Sequence, residues 1–260
     1  MAHTLDRKDS LFSFCLEEST AVFKLGFEAI ETGQDLEVEE ELLDLLKEAE
    51  ESKHVDAILM LHNPEDLSEE RYGAFLTKAR GGGLADRAAN SGWYERDLTL
   101  ARGENGLNQI INAIHGSRKL TVAGLQGSIT EPFFGAALAF DFRYASEGTV
   151  FLPSHARFGL PPCGALGYFL PRFVGLGKAT SIMLDPQPIP ADVAQDLGLV
   201  SEVLPADGFG AGCIERVQRI PNPLSATLLG AKELLSSHNA SEWGEYLARE
   251  SVVLRKYGLS

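Results

Sequence analysis

Cysteine is scarce in this 260-residue chain: Cys15, Cys163 and Cys213 are odd in number, widely spaced and include no Cys-x-x-Cys pair. Neither a disulfide framework nor a zinc site is suggested, so the thiols read as reduced and no metal is expected. Long apolar runs are missing as well, since none reaches the roughly eighteen residues that suggest a membrane-spanning helix. The stretch from Met1 to Ser10 lacks the apolar core of a signal peptide. The expectation is a soluble, cytoplasmic protein with no membrane partner. Positive charge is in short supply, with 23 Lys plus Arg against 37 Asp plus Glu and a formal net charge of −14. That balance disfavours nonspecific nucleic-acid binding and anionic membranes, so no nucleic-acid partner is expected. An anionic small molecule would need locally placed cations or helix N-termini.

Internal repeats and low-complexity linkers are also lacking. What is there suits one mid-sized domain, or a domain with a small appendage, long enough to bury a sizeable core. Leu11 to Leu16 and Thr20 to Leu25 read as two strands around a polar turn, and Val38 to Ser52 as an acidic amphipathic helix. Val55 to Leu61 is a buried strand, Asn105 to Ile114 a helix, Leu120 to Leu125 a strand and Phe134 to Phe140 a helix. This alternation argues an α/β fold. Helical patterns dominate after residue 165, with candidates at Gly208 to Arg219, Leu224 to Ser236 and Ser241 to Tyr257. Arg80-Gly-Gly-Gly83 lacks the ending of a phosphate-binding loop and reads as a flexible surface loop.

The stretch from Gly127 through Glu131-Pro132-Phe133-Phe134-Gly135 to Asp141 keeps, without a gap, the spacing of a Gly-x-Ala-x-Gly-Gly-Gly segment ending in Ala-Cys-Asp. Downstream, Phe151 to His155, Gly159 to Cys163 and Leu170-Pro171-Arg172 follow a second pattern, Phe-Gly-x-Pro-Glu with Gly-Leu-Ile-Pro-Gly and Leu-Pro-Arg. With Ile189 to Ala191 and Gly198 to Val203, the match covers residues 119 to 205. The chain resembles the enoyl-CoA hydratase/isomerase, or crotonase, superfamily. The resemblance implies a ββα spiral core over residues 1–205 and a C-terminal helical region over 206–260 that covers the site and packs subunits. A homotrimer or dimer of trimers is the implied assembly. The implied partner is a small molecule, an acyl-CoA; no cofactor is expected, because coenzyme A would enter as part of the substrate.

Departures from the family pattern fall on its chemistry. The middle glycine of the triplet donates its N–H to the thioester oxygen in the family; here Pro132 stands there and has no N–H. The second donor loop is reduced to a remnant at Glu65-Asp66-Leu67, which places Asp66 and Leu67 among the substrate-binding candidates. The family's two carboxylate positions are Gly135 and His155 here, so an ordinary hydratase is not expected. His155 is the first catalytic candidate, because imidazole serves as acid or base near neutral pH; the alternative is a histidine fixed in a turn. Glu131 reads either as a catalytic carboxylate or as part of a helix start, with Thr130 as cap and Pro132 in the first turn.

Some of these residues resemble the 6-oxocamphor hydrolase branch, which cleaves carbon–carbon bonds of β-diketones without coenzyme A. His155 stands four residues before Gly159 as in that branch, and Glu250 resembles a glutamate of its last helix. Glu250 therefore joins the catalytic candidates, beside the reading as a solvated or salt-bridging residue. The branch's histidine is replaced by Glu131 and its aspartate by Gly164. Cys163, read at a helix start that would lower its pKa, and Pro132, Phe133, Phe134 and Phe158 complete the substrate-binding candidates. Tyr168 and Phe169 crowd the same segments, so the aromatics either shape an apolar site or fill it. Three functions stay open: a divergent thioester enzyme working through an enolate-like intermediate, a diketone hydrolase, and a noncatalytic relative.

Overall fold

Strands that carry apolar residues on both faces need cover on both, and that requirement organises this chain. In the computed structural model, which describes residues 7–8, 12–26, 36–79, 98–220, 225–237 and 240–257, three such strands form the centre of a sheet. They are β3 (Thr20–Leu25), β4 (Ala57–His62) and β5 (Leu120–Leu125). Ala21, Phe23, Ile58, Met60, Ala123 and Leu125 point into the larger core. Their neighbours Val22, Ala57, Leu59 and Val122 point to the opposite face, with Phe209, Cys213 and Val217. The period of two is that of a pleated strand. The loop reading of Arg80 to Gly83 falls outside the described residues.

The sheet has seven strands among the described residues, in the order β1 (Arg7–Lys8), β2 (Phe12–Glu17), β3, β4, β5, β7 (Phe142–Ser146), β10 (Glu202–Leu204). β1 to β3 pair antiparallel, and β3 through β10 pair parallel. A second, three-stranded sheet holds β6 (Ser128–Thr130), β8 (Val150–Leu152) and β9 (Ile189–Pro190). Parallel neighbours demand long crossovers, supplied by α1 (Leu36–Glu51), α2 (Glu69–Ala79) and α3 (Leu98–His115). Two short helices, α4 (Phe133–Ala137) and α5 (His155–Phe158), follow β6 and β8. Then come α6 (Leu166–Leu184), interrupted at Gly175, and α7 (Ala191–Asp196).

The three expected C-terminal helices are present as α8 (Phe209–Gln218), α9 (Ala226–Ser237) and α10 (Ala240–Tyr257). α8 covers the second face of the main sheet. Lys232 on α9 bonds Asp141 at 2.6 Å, and Asp141 also accepts from the Thr121 N–H at 2.8 Å. α10 carries Leu254, 1 % exposed, into the larger core.

One tight approach positions the loops above the parallel strands. At the exit of β5, Gly127 has φ +69°, and a Cβ there would lie 2.0 Å from the Pro64 carbonyl oxygen. The 63–67 turn is thereby pressed against β6, at whose end the Thr130 N–H donates to the Leu67 carbonyl at 2.9 Å. Gly127→Ala is expected to destabilise the fold by about 1–3 kcal/mol for the positive φ alone, and by more once Pro64 is displaced. Urea unfolding measures this, and an unchanged midpoint contradicts the packing described.

Candidate functional site

Glu131 and His155 are brought together by the parallel pairing of β6 with β8, whose ends place Thr130 beside Leu152. Thr130 does not cap a helix. It is the last residue of β6, and its hydroxyl pairs with that of Ser154 at 2.8 Å. The helix start expected at Thr130 lies further on: α4 begins at Phe133, and no side chain caps it. The chain's need for a strand here outweighs the local capping signal, and Glu131 is left free to turn inward.

Glu131 is 1 % exposed. Its Oε2 lies 2.5 Å from His155 Nδ1, and its Oε1 accepts the Cys163 N–H at 3.1 Å. The other ring nitrogen of His155, Nε2, is 2.7 Å from the Met183 carbonyl oxygen. An oxygen at each nitrogen favours the protonated form of the ring. Burial works against that charge, but the Glu131 hydrogen bond and charge and the Met183 carbonyl outweigh it, so the pKa lies above the ordinary histidine value. His155 is thus oriented between a carboxylate and a carbonyl rather than toward an open space.

Glu250 is buried, not solvated, at 5 % exposure. Both its oxygens lie 3.2 Å from the Ala165 N–H, and the Tyr246 hydroxyl donates to Oε2 at 2.6 Å. Burial raises its pKa to about 7; Tyr246 and Ala165 pull against the rise, while the charges of Glu104 and Glu131 add to it. The two glutamates grip the same segment from opposite ends, one at the Cys163 N–H and one at the Ala165 N–H. Ala165 itself has φ 62°, a left-handed conformation costly for a residue with a Cβ.

Cys163 stands three residues ahead of α6 rather than at its start. Burial, followed by the charges of Glu131, Glu250 and Glu104, pushes its thiol well above the usual range, so the activation expected from a helix terminus does not occur. The Tyr72 hydroxyl bonds the Cys163 side chain.

Pro132, Phe133 and Cys163 line a cavity of about 60 Å³, together with Tyr72, Phe75, Leu76, Gly103, Glu104, Leu107, Asn108, Leu160, Gly164 and Leu254. This is room for a few waters or a very small acyl group, below the roughly 300 Å³ at which ligand pockets begin. The other substrate-binding candidates do not line it. Phe134 is fully buried against Phe151, with ring centroids 5.2 Å apart. Phe158 packs edge-on against Tyr72 from behind. Asp66 accepts the Asn63 N–H at 2.9 Å and closes the 63–67 turn, and Leu67 is buried in the core. Tyr168 packs edge-on and Phe169 tilted against Trp243 of α10, with ring centroids 4.8 and 5.3 Å apart.

Position 135 has no room for a carboxylate. A Cβ on Gly135 would meet the Gly164 carbonyl oxygen at 2.3 Å, and one on Gly164 would meet the Pro132 carbonyl oxygen at 2.1 Å. Backbone packs against backbone where the resemblance implied a catalytic side chain. Three polar groups of the site were not found by sequence reasoning: Tyr72, Glu104 and Tyr246. Glu104 was the most accessible of them, because it is the one carboxylate in the α3 sequence Leu98 to His115.

The family model described as enoyl-CoA hydratase/isomerase matches residues 33–258. The chain belongs to that family. It is 39% identical over 87 residues to the probable peroxisomal enoyl-CoA hydratase 1 of Arabidopsis thaliana, covering 34% of this chain and 33% of that protein. It is 29% identical over 167 residues to the enoyl-CoA hydratase ACTT3 of Alternaria alternata, covering 60% and 51% respectively. These matches thus span between a third and about half of the relatives' own length. A solved enoyl-CoA hydratase from Mycobacterium avium subsp. paratuberculosis superposes with TM-score 0.74 at 20% identity, covering 97% of this chain and 92% of that one. The crotonase fold, with its C-terminal helical region, is therefore the fold of this family member. Among the described residues no helix is long and apolar enough to cross a membrane.

Two titrations distinguish the buried groups. Glu250 binds its proton more tightly folded than unfolded, so its protonated form favours folding and stability falls as pH rises from about 4.5 to about 7. His155 also has a raised pKa; its contribution is complete below about 6.5 and is lost as pH rises through the folded value. Urea midpoints measured across pH should therefore lose the lower-pH slope in Glu250→Gln and the higher-pH slope in His155→Gln. Variants that keep the wild-type slopes contradict these environments.

Proposed function

We propose that this family member is an enzyme acting on a short acyl thioester through an enolate-like intermediate, with Glu250 as its proton-holding group. The observation that carries the reading is a buried carboxyl with a pKa of about 7, one helical turn from the cavity-lining Leu254 and hydrogen-bonded beside Cys163 and Gly164. A carboxylic acid that keeps its proton near neutrality can donate to an oxygen as negative charge develops there. It can in this way take over from the N–H that Pro132 lacks. Glu131 and His155 act as positioning residues, fixing the Cys163 end of the segment whose Ala165 end Glu250 holds.

The geometry favours this over a carbon–carbon hydrolase that uses His155 to activate water, because both ring nitrogens already face acceptors. It also favours it over an ordinary hydratase, since position 135 is occupied by backbone contact. The small cavity favours a second reading, a family member retained for binding or assembly without catalysis. The homotrimer implied by the family accompanies either reading.

Calorimetric titration with coenzyme A and with acetyl-CoA separates the two. Micromolar binding of the thioester is expected, with Glu250→Gln lowering turnover about a hundredfold or more while affinity stays within about threefold. Failure of both ligands to bind leaves the noncatalytic reading.

A further inference from the structure

Two rings bound the cavity beside Pro132. Phe133 is the first residue of α4 and is buried; it meets Tyr72 of α2 edge-on, and both line the space. Leu76, Leu107 and Leu254, from α2, α3 and α10, supply aliphatic walls. The packing behind the rings is tight. Tyr72 is backed edge-on by Phe158 and stacked with Phe75 at 6.2 Å, and its hydroxyl bonds the Cys163 side chain. Phe158 in turn rests on α2, where a Cβ on Gly73 would lie 3.3 Å from its ring. Under Phe133, α4 packs backbone to backbone, since a Cβ on Gly135 would meet the Leu166 nitrogen at 2.6 Å. Close-packed surroundings of this kind hold a ring in place instead of yielding to a ligand.

We propose that Phe133 is the specificity-determining residue of this protein: its ring, braced on Tyr72, limits the acyl group to about two to four carbons, by comparison with the six-carbon ring that an apolar cavity of about 150 Å³ holds. The proposal rests on the thioester reading above and adds to it the residue that sets chain length. The cavity measures about 60 Å³, well short of that volume. A longer chain would have to displace Phe133, which Tyr72 blocks on one side and the α4 backbone blocks on the other. Glycine, which the resemblance implies at position 133, has no side chain to set such a limit. Selection here comes from shape and not from charge, because the groups that meet the chain are aromatic and aliphatic.

Calorimetric titration of wild type, Phe133→Ala and Phe133→Leu with coenzyme A and with its acetyl, butyryl and hexanoyl thioesters provides the test. Wild type is expected to bind the acetyl and butyryl thioesters and to bind hexanoyl-CoA at least about tenfold more weakly, the scale on which a misfitting methylene is penalised. Phe133→Ala should bind hexanoyl-CoA at least as tightly as butyryl-CoA, while its affinity for coenzyme A alone stays within about twofold of wild type. Phe133→Leu keeps an apolar wall, should shift the preference in the same direction, and carries the test if the alanine variant does not melt cooperatively. Wild type that takes hexanoyl-CoA as tightly as butyryl-CoA overturns the limit. An unchanged chain-length preference in the Phe133 variants overturns the assignment to Phe133 and leaves the thioester reading standing. Failure of every thioester to bind wild type overturns that reading and the proposal with it.

Discussion

Much of the site depends on where one buried carboxylate finds its partners. Glu131, 1 % exposed, cannot sit in the interior uncompensated; the cost of an unpaired buried charge runs to several kcal/mol. The His155 ring and the Cys163 N–H meet that demand. In doing so they tie the exit of β6 to α5 and to the segment that leads into α6. The Met183 carbonyl on the far nitrogen of His155 extends the tie to the far end of α6. Glu131 is thereby tied into the architecture around it.

The three residues at positions 131–133, where the resemblance implies glycines, act together. Glu131 turns inward to His155, Pro132 removes an N–H donor, and Phe133 places a ring in the cavity, edge-on to Tyr72 at 5.9 Å. The loop at Gly164 lies close against the Pro132 backbone. A site rebuilt this way has a small apolar cavity and draws its carboxylates from outside the segment. Glu250 and Glu104 arrive on helices far apart in the sequence, and Tyr246 and Ser251 bond them.

The fold was legible to a degree that follows from periodicity. β5 spans Leu120–Leu125 as read, and the helix read at 38–52 is observed at Leu36–Glu51, because long apolar patterns over whole elements leave few alternatives. Short-range signals did less well. Thr130 has the sequence of a helix cap and Cys163 that of a helix start, yet the strand pairing of β6 with β8 claims the first and burial among carboxylates governs the second. Glu250 has the sequence of a solvated helix residue, but it lies on the face of α10 that meets Ala165. Tyr72 and Glu104 fall where the resemblance gives no guide, so nothing in their own neighbourhoods connected them to Cys163 or Glu250.

The sequence by itself determined the family, much of the order of elements, and what two backbone positions can offer: no N–H at Pro132 and no side chain at Gly135. These are properties of single residues at fixed spacings, and folding cannot alter them. The tertiary structure alone decided which polar groups meet, whether a carboxyl is buried or solvated, and how much space remains beside Cys163. Such outcomes depend on distances between residues far apart in the chain. A glutamate at position 250 acquires its raised pKa only when Ala165, Tyr246 and Glu104 are brought around it, and no local pattern specifies that convergence.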